Sequence, residues 1–198
     1  MISLLFVADG DLDEATIPAL VGNLLGVTVR SDFRSWARLH GAGKGYARKL
    51  VFAVRQARDA GVVGLVATVD RDRDHKGSRI RALRDGRRHQ REAEPAFPTA
   101  VGEAIPHAES WLLDDAKAVR DGLGLASDHP VTNVLSVPSP KEALIQLLRA
   151  SPHADRSHRD AWRDVAARVK LERCVHARET GFLACAEDVR REIAPLVL

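Results

Sequence analysis

Between Val62 and Val69 the chain reads Val-Val-Gly-Leu-Val-Ala-Thr-Val without a charge, and then meets Asp70-Arg71-Asp72-Arg73-Asp74. A short, β-branched run with no polar alternation reads as a strand covered on both faces, the form taken by a parallel sheet between helices. The C-terminal end of such a strand is where open α/β sheets gather their ligands. Carboxylates at alternate positions there raise the electrostatic energy unless a cation or basic side chains compensate them. Two answers are open at this point. One is a hard divalent cation, which takes carboxylate, water and phosphate oxygens. The other is a solvated turn in which Asp and Arg neutralise one another, and Lys76-Gly77 has turn chemistry.

A second strand ends the same way. Ile2 to Ala8 reads as a buried strand that runs into Asp9-Gly10-Asp11-Leu12-Asp13-Glu14. Gly10 permits a sharp turn, and Asp11 can cap a helix whose apolar positions are Ile17, Leu20, Val21, Leu24 and Leu25. Asp13 then falls in the first turn, where its charge suits the helix dipole. Parallel strands deliver their C-terminal ends to one edge, so Asp9 and the Asp70 cluster are expected to meet. A further strand over Thr99–Ile105 leads through Pro106 to His107-Ala108-Glu109-Ser110-Trp111-Leu112, with Trp111 and Leu112 in the core. Glu109 lies at the mouth of that strand, and a helix-capping role competes there with a role in a site.

The remaining pattern is mixed at first and helical later. A strand is expected around Val27–Val29, a helix over Tyr46–Ala60 and a basic helix over Gly77–Gln90. Gly41-Ala42-Gly43-Lys44-Gly45 lacks the first glycine of a phosphate loop, and has Gly45 where Ser or Thr should hold Mg²⁺. Lys44 is therefore either surface charge or a phosphate contact at a helix start. Helices are expected up to Gly122-Leu123-Gly124, from Pro138 to Leu147, over Trp162–Val175 and over Phe182–Ile193. The expected organisation is an α/β core over 1–115, with a mostly parallel central sheet and helices on both faces, and a helical section over 116–198 packed on it.

Charge is unevenly spread. The net charge is only +3, but Arg71, Arg73, Lys76, Arg79, Arg81, Arg84, Arg87, Arg88 and Arg91 follow the acidic cluster directly. That run suits a polyanionic partner or forms a solvated helix face. With five Phe, three Trp and one Tyr, aromatic platforms for stacking bases are scarce. Cys174 and Cys185 match no zinc spacing and read as small buried side chains, while His75 and His107 read as polar surface residues. The N-terminal residues lack a basic leader, and no apolar stretch nears the roughly 20 residues that span a bilayer, so a cytoplasmic protein with no membrane partner is expected.

An acid plus Gly closing the first strand, and Val-Asp-Arg-Asp-Arg-Asp closing a later one, resemble the Toprim domain of topoisomerases, primases and the overcoming-lysogenization-defect nucleases. Three further segments are similar to small stand-alone Toprim-like proteins: His107 to Asp115, Pro138-Ser139-Pro140-Lys141-Glu142-Ala143-Leu144, and Val169-Lys170-Leu171-Glu172 to Gly181-Phe182. The resemblance implies a Toprim-like Rossmannoid fold and Mg²⁺ or Mn²⁺ held for phosphoryl transfer on nucleic acid. Asp9, Asp70 and Asp72 would be catalytic and metal-binding, Asp74 a further metal ligand, and Asp13 and Glu109 auxiliary acids. Arg71, Arg73, Lys76, Arg79, Arg84, Arg88 and Lys44 would contact nucleic acid. The sequence departs from the family at Asp9, where Glu is usual, and the missing methylene shortens the reach by about an ångström. The implied activity is a nuclease on DNA or RNA, with phage defence as a setting. The alternatives are a catalytically weak or inactive protein that binds nucleic acid or an operon-encoded partner chain, and a metal-dependent nucleotide hydrolase.

Overall fold

The computed structural model describes residues 1–72 and 74–197; Arg73, one of the residues expected to contact nucleic acid, lies outside the described residues. Strands β1 (Ile2–Ala8), β2 (Val29–Ser35), β3 (Gly64–Asp70) and β4 (Thr99–Ala104) form one sheet in the order β2-β1-β3-β4. Every pairing is parallel. Successive side chains of a strand point to opposite faces, and β1 divides the core accordingly. Leu5 and Val7 meet Leu50 and Val54 of α2 (Tyr46–Asp59) and Leu83 of α3 (Ser78–Ala93). Leu4 and Phe6 meet Ile17 and Leu20 of α1 (Asp13–Leu25) in a core that continues into the C-terminal helices. Helices therefore cover both faces, as the unbroken apolar runs of β1 and β3 require.

Two boundaries differ from expectation. The strand expected around Val27–Val29 begins at Val29 and runs to Ser35, because β2 is an edge strand whose Arg30, Asp32 and Arg34 hide it from an apolar pattern. The helix expected over Trp162–Val175 is α7 (His158–Ala166), started by Ser157, whose Oγ accepts the Asp160 N–H at 3.1 Å. The chain beyond it is drawn off helical geometry by Asp115, which is 1% exposed and accepts the Lys170 N–H at 2.8 Å and the Arg173 Nε–H at 2.9 Å.

α4 (Glu109–Leu113) lies in the 1–115 region, and the helical section over 116–198 consists of α5 (Ala116–Leu123), α6 (Pro140–Arg149), α7 and α8 (Phe182–Glu192). It shares its core with the sheet: Trp111, Trp162 and Phe182 are buried in one cluster with Leu4 and Val66. Trp111 Nε1 donates to the Thr180 carbonyl at 2.7 Å, and Asp114 accepts the His176 N–H at 2.9 Å. The segments 107–115 and 169–182, far apart in sequence, thus interlock. No described helix is long and apolar enough to cross a membrane.

Chain direction sets where a site can form. After β1 the chain turns into α1 on one face, whereas after β3 it turns into α3 on the other. The C-terminal ends of the adjacent strands β1 and β3 therefore flank a topological switch point, the crevice in which such sheets bind ligands.

The α2–α3 crossing that supports this edge is close. A Cβ at Gly86 would stand 2.6 Å from the Ala47 carbonyl oxygen, a backbone atom that cannot swing away. Gly86→Ala is expected to destabilise the protein by about 1–3 kcal/mol despite alanine's better helix propensity, read as a lower midpoint of chemical denaturation.

Candidate functional site

Past Val7 and Ala67, the last paired residues of β1 and β3, a side chain continues the ladder: Asp9 Oδ2 accepts the Asp70 N–H at 2.8 Å. Asp9 and Asp70 therefore do meet, through the partly buried end of each strand. Asp13 joins them because α1 starts at Asp13 itself. Asp11, expected as the cap, is exposed, and Asp13 Oδ2 turns back to accept the Gly10 N–H at 2.9 Å. Glu109 comes from the opposite side on α4, and Asp13 and Glu109 are each 9% exposed.

The proximity of these carboxylates registers in their proton affinities. Asp13 is pushed up to about 7, first by burial, then by the charge of Asp70, with Glu109 and Asp9 adding to it. Asp9 is raised as well, chiefly by burial; the Asp70 N–H, Arg79 and the nearby Tyr46 hydroxyl pull the other way. Tyr46 stands at the start of α2, its ring 5.3 Å from and edge-on to that of Trp36, whose Nε1 donates to the Thr68 carbonyl of β3 at 2.7 Å. Arg79 Nη1 donates to the Asp70 carbonyl at 3.0 Å, and its guanidinium lies 5.9 Å over the Tyr46 ring.

His107, read as a polar surface residue, is half-buried and lies against Asp70. Its Nδ1 lies 3.3 Å from Asp70 Oδ2, and this hydrogen bond raises the imidazole pKa against the effect of burial. The sequence signal for His107 is its position just after β4, at the same sheet edge as Asp9 and Asp70. Tyr46 carries no such signal, because nothing local in the sequence relates the start of α2 to β1.

Other expected residues are placed differently. Asp72 is exposed on the rim with φ 34°, in the left-handed region that Asp tolerates at some cost, and its charge bears on His107. Asp74 caps the start of α3, where Oδ2 accepts the Arg79 N–H at 2.7 Å and Oδ1 the Ser78 hydroxyl at 2.8 Å. Those donors push it down to about 2, the Arg79 N–H most of all. The basic run divides too. Arg79 faces the carboxylates, Arg71 turns away to pair with Glu103, and Arg88 pairs with Asp85 at 2.9 Å on the surface. Arg87 bonds Asp188 of α8 at 2.6 Å, and Arg91 pairs with Glu192. Lys76 and Arg84 are exposed on the α3 side, and Lys44 is exposed in the loop before α2. Cys174 and Cys185 are free and buried, as expected.

The site thus assembles anionic oxygen donors, an imidazole and a guanidinium at one sheet edge. Among the described residues, no three His, Cys, Asp or Glu side chains converge tightly enough to enclose a metal ion by themselves. Comparisons with protein-family models, with curated proteins and with solved structures return no match to this chain.

A stability test follows from Asp13. Its raised pKa means that the folded state holds the proton more tightly than the unfolded state, so stability falls as pH rises from the ordinary carboxylate range to about 7. Asp13→Asn removes that loss. In chelator, the variant is expected to melt on the order of 4 °C or more above wild type at pH 8, with the difference shrinking towards zero by pH 4.

Proposed function

We propose that this protein is a divalent-metal-dependent phosphodiesterase of Toprim type acting on nucleic acid, in its simplest form a nuclease, with Asp9 and Asp70 as the metal-holding pair. The observation that carries the reading is the 2.8 Å bond from the Asp70 N–H to Asp9 Oδ2, which ties the Asp9 carboxylate to the end of β3 at the switch point of a parallel sheet. The donor set fits a hard cation. It is anionic and made of oxygens, and the charges of Asp70, Glu109 and Asp9 add to burial in raising Asp13. Mg²⁺ keeps several waters and takes one or two protein carboxylates, so a pair suffices where a closed cage is absent. Bound there, Mg²⁺ or Mn²⁺ supplies polarisation of a phosphate oxygen and activation of water.

The side chains around the pair have separate tasks in this reading. His107, held towards its protonated form by Asp70, orients that carboxylate and offers a proton near the rim. Arg79, fixed by the Asp70 carbonyl and the Tyr46 ring, presents its guanidinium to a phosphate oxygen. Asp72 is an outer acid on the rim, and Asp74 serves α3.

One observation favours a second reading. Asp9 is already engaged by the Asp70 N–H, and it is shorter than the Glu usual in the family it resembles. A protein that binds nucleic acid or a partner chain without turning over substrate would tolerate this.

Incubation of plasmid, single-stranded DNA and RNA with Mg²⁺ or Mn²⁺ separates the two. Cleavage by wild type that chelator abolishes and Asp70→Ala lowers by about 100-fold or more is expected. Binding without cleavage, with turnover appearing in Asp9→Glu, supports the second reading. Hydrolysis confined to free nucleotides contradicts the nuclease and points to a nucleotide hydrolase.

A further inference from the structure

Across the 70–77 loop from the carboxylates lies a second cavity, of about 350 Å³, bounded by α3, the end of β4 and the start of α8. Arg71, Lys76, Arg81, Arg84 and Arg178 line it, brought together from the loop after β3, from α3 and from the turn before α8. Its one acidic wall residue, Glu103, is 9% exposed and pairs with Arg71. Glu103 Oε1 and Arg71 Nε are both buried with no hydrogen-bond partner, so the pair is held through one contact and keeps unused capacity. Among the described residues, Lys76, Arg81, Arg84 and Arg178 make no ion pair. The contrast within α3 is informative. At its far end Arg87 and Arg91 are neutralised by Asp188 and Glu192 of α8, whereas at its near end the cations are left unpaired around a concavity. Like charges gathered on a concave wall focus the field for an anion. The start of α8 adds to it, since this helix opens on Gly181 without a side-chain cap and sets Ala184 in the cavity wall.

We propose that this cavity is a subsite for a phosphate monoester. A monoester carries close to two negative charges at neutral pH, against one for the phosphodiester inside a strand, and four unpaired cations favour the more highly charged group. The volume suits one phosphate with its sugar, so the ligand is a phosphorylated strand end or a free nucleotide. Recognition of a strand end rests on the nucleic-acid reading above; recognition of the phosphate does not depend on turnover.

The test is fluorescence anisotropy in EDTA with one labelled oligonucleotide sequence, bearing a 5′-phosphate, a 3′-phosphate or hydroxyls at both ends, and with adenosine 5′-monophosphate as competitor. Wild type is expected to bind one phosphorylated end about tenfold more tightly than the hydroxyl strand. In Arg84→Ala/Arg178→Ala that gap is expected to fall below about twofold. In Arg30→Ala/Arg190→Ala, which removes the same charge elsewhere on the surface, the gap should persist. A competitor that binds as tightly as the phosphorylated strand, and weakens in the same double variant, supports the subsite and assigns it to free nucleotides. Equal affinity for all ends without nucleotide binding, or a preference unchanged in Arg84→Ala/Arg178→Ala, overturns it. Because metal is absent, a retained preference in a protein that fails to cleave sinks the nuclease reading alone.

Discussion

A single hydrogen bond, from the Asp70 N–H to Asp9 Oδ2, sets the geometry on which the site depends. Asp9 takes the place of the backbone acceptor that the ladder lacks beyond Val7 and Ala67, and so ties the ends of two neighbouring parallel strands together. The same bond holds Asp9 beside the carboxylate of Asp70, which works against its own charge. Arg79 and Tyr46 offset part of that cost from the α2–α3 face, and His107 offsets part from the other. Asp13, raised to about 7 first by burial and then by the charge of Asp70, adds no full charge of its own below that pH. Structural ion networks also perturb pKa values, and here a buried carboxyl faces others of its own sign.

The C-terminal helices serve this edge as well as the core. Asp114 and Asp115 lie directly after α4 and accept backbone N–H groups of His176 and Lys170, while Trp111 reaches the Thr180 carbonyl. Thr180 also accepts the Ile105 N–H just beyond β4. The segment that carries His107 and Glu109 is thus clamped between the sheet and the turn before α8. Removing one of these buried acceptors would leave backbone donors unpaired, and would loosen the helix that holds Glu109.

Much of this was legible along the chain, for reasons that differ by residue. The strands Ile2–Ala8 and Gly64–Asp70 announce themselves because both faces are buried, which leaves an apolar run with no polar interruption. Asp9 and Asp70 follow from the rule that parallel strands share an edge. The edge strand β2 is harder to see, because Arg30, Asp32 and Arg34 meet solvent and mask it. Asp74 looks the same as Asp70 in a pattern of alternating acids. Only the left-handed turn at Asp72 separates them, sending one to the crevice and the other to the first turn of α3. The basic run reads as one surface, yet the helical period of α3 distributes it among the carboxylates, the α8 acids and the second cavity. Tyr46 reaches the site through tertiary packing that neither composition nor spacing encodes, whereas His107 is signalled by its place just after β4.

The most direct test of the central claim is anomalous diffraction from crystals soaked in Mn²⁺. A peak within about 2.5 Å of oxygens from both Asp9 and Asp70 is the predicted result, with Asp74 still bound to the start of α3. A peak on Asp72 or Asp74 away from Asp9, or no peak at this edge at saturating Mn²⁺, would contradict it.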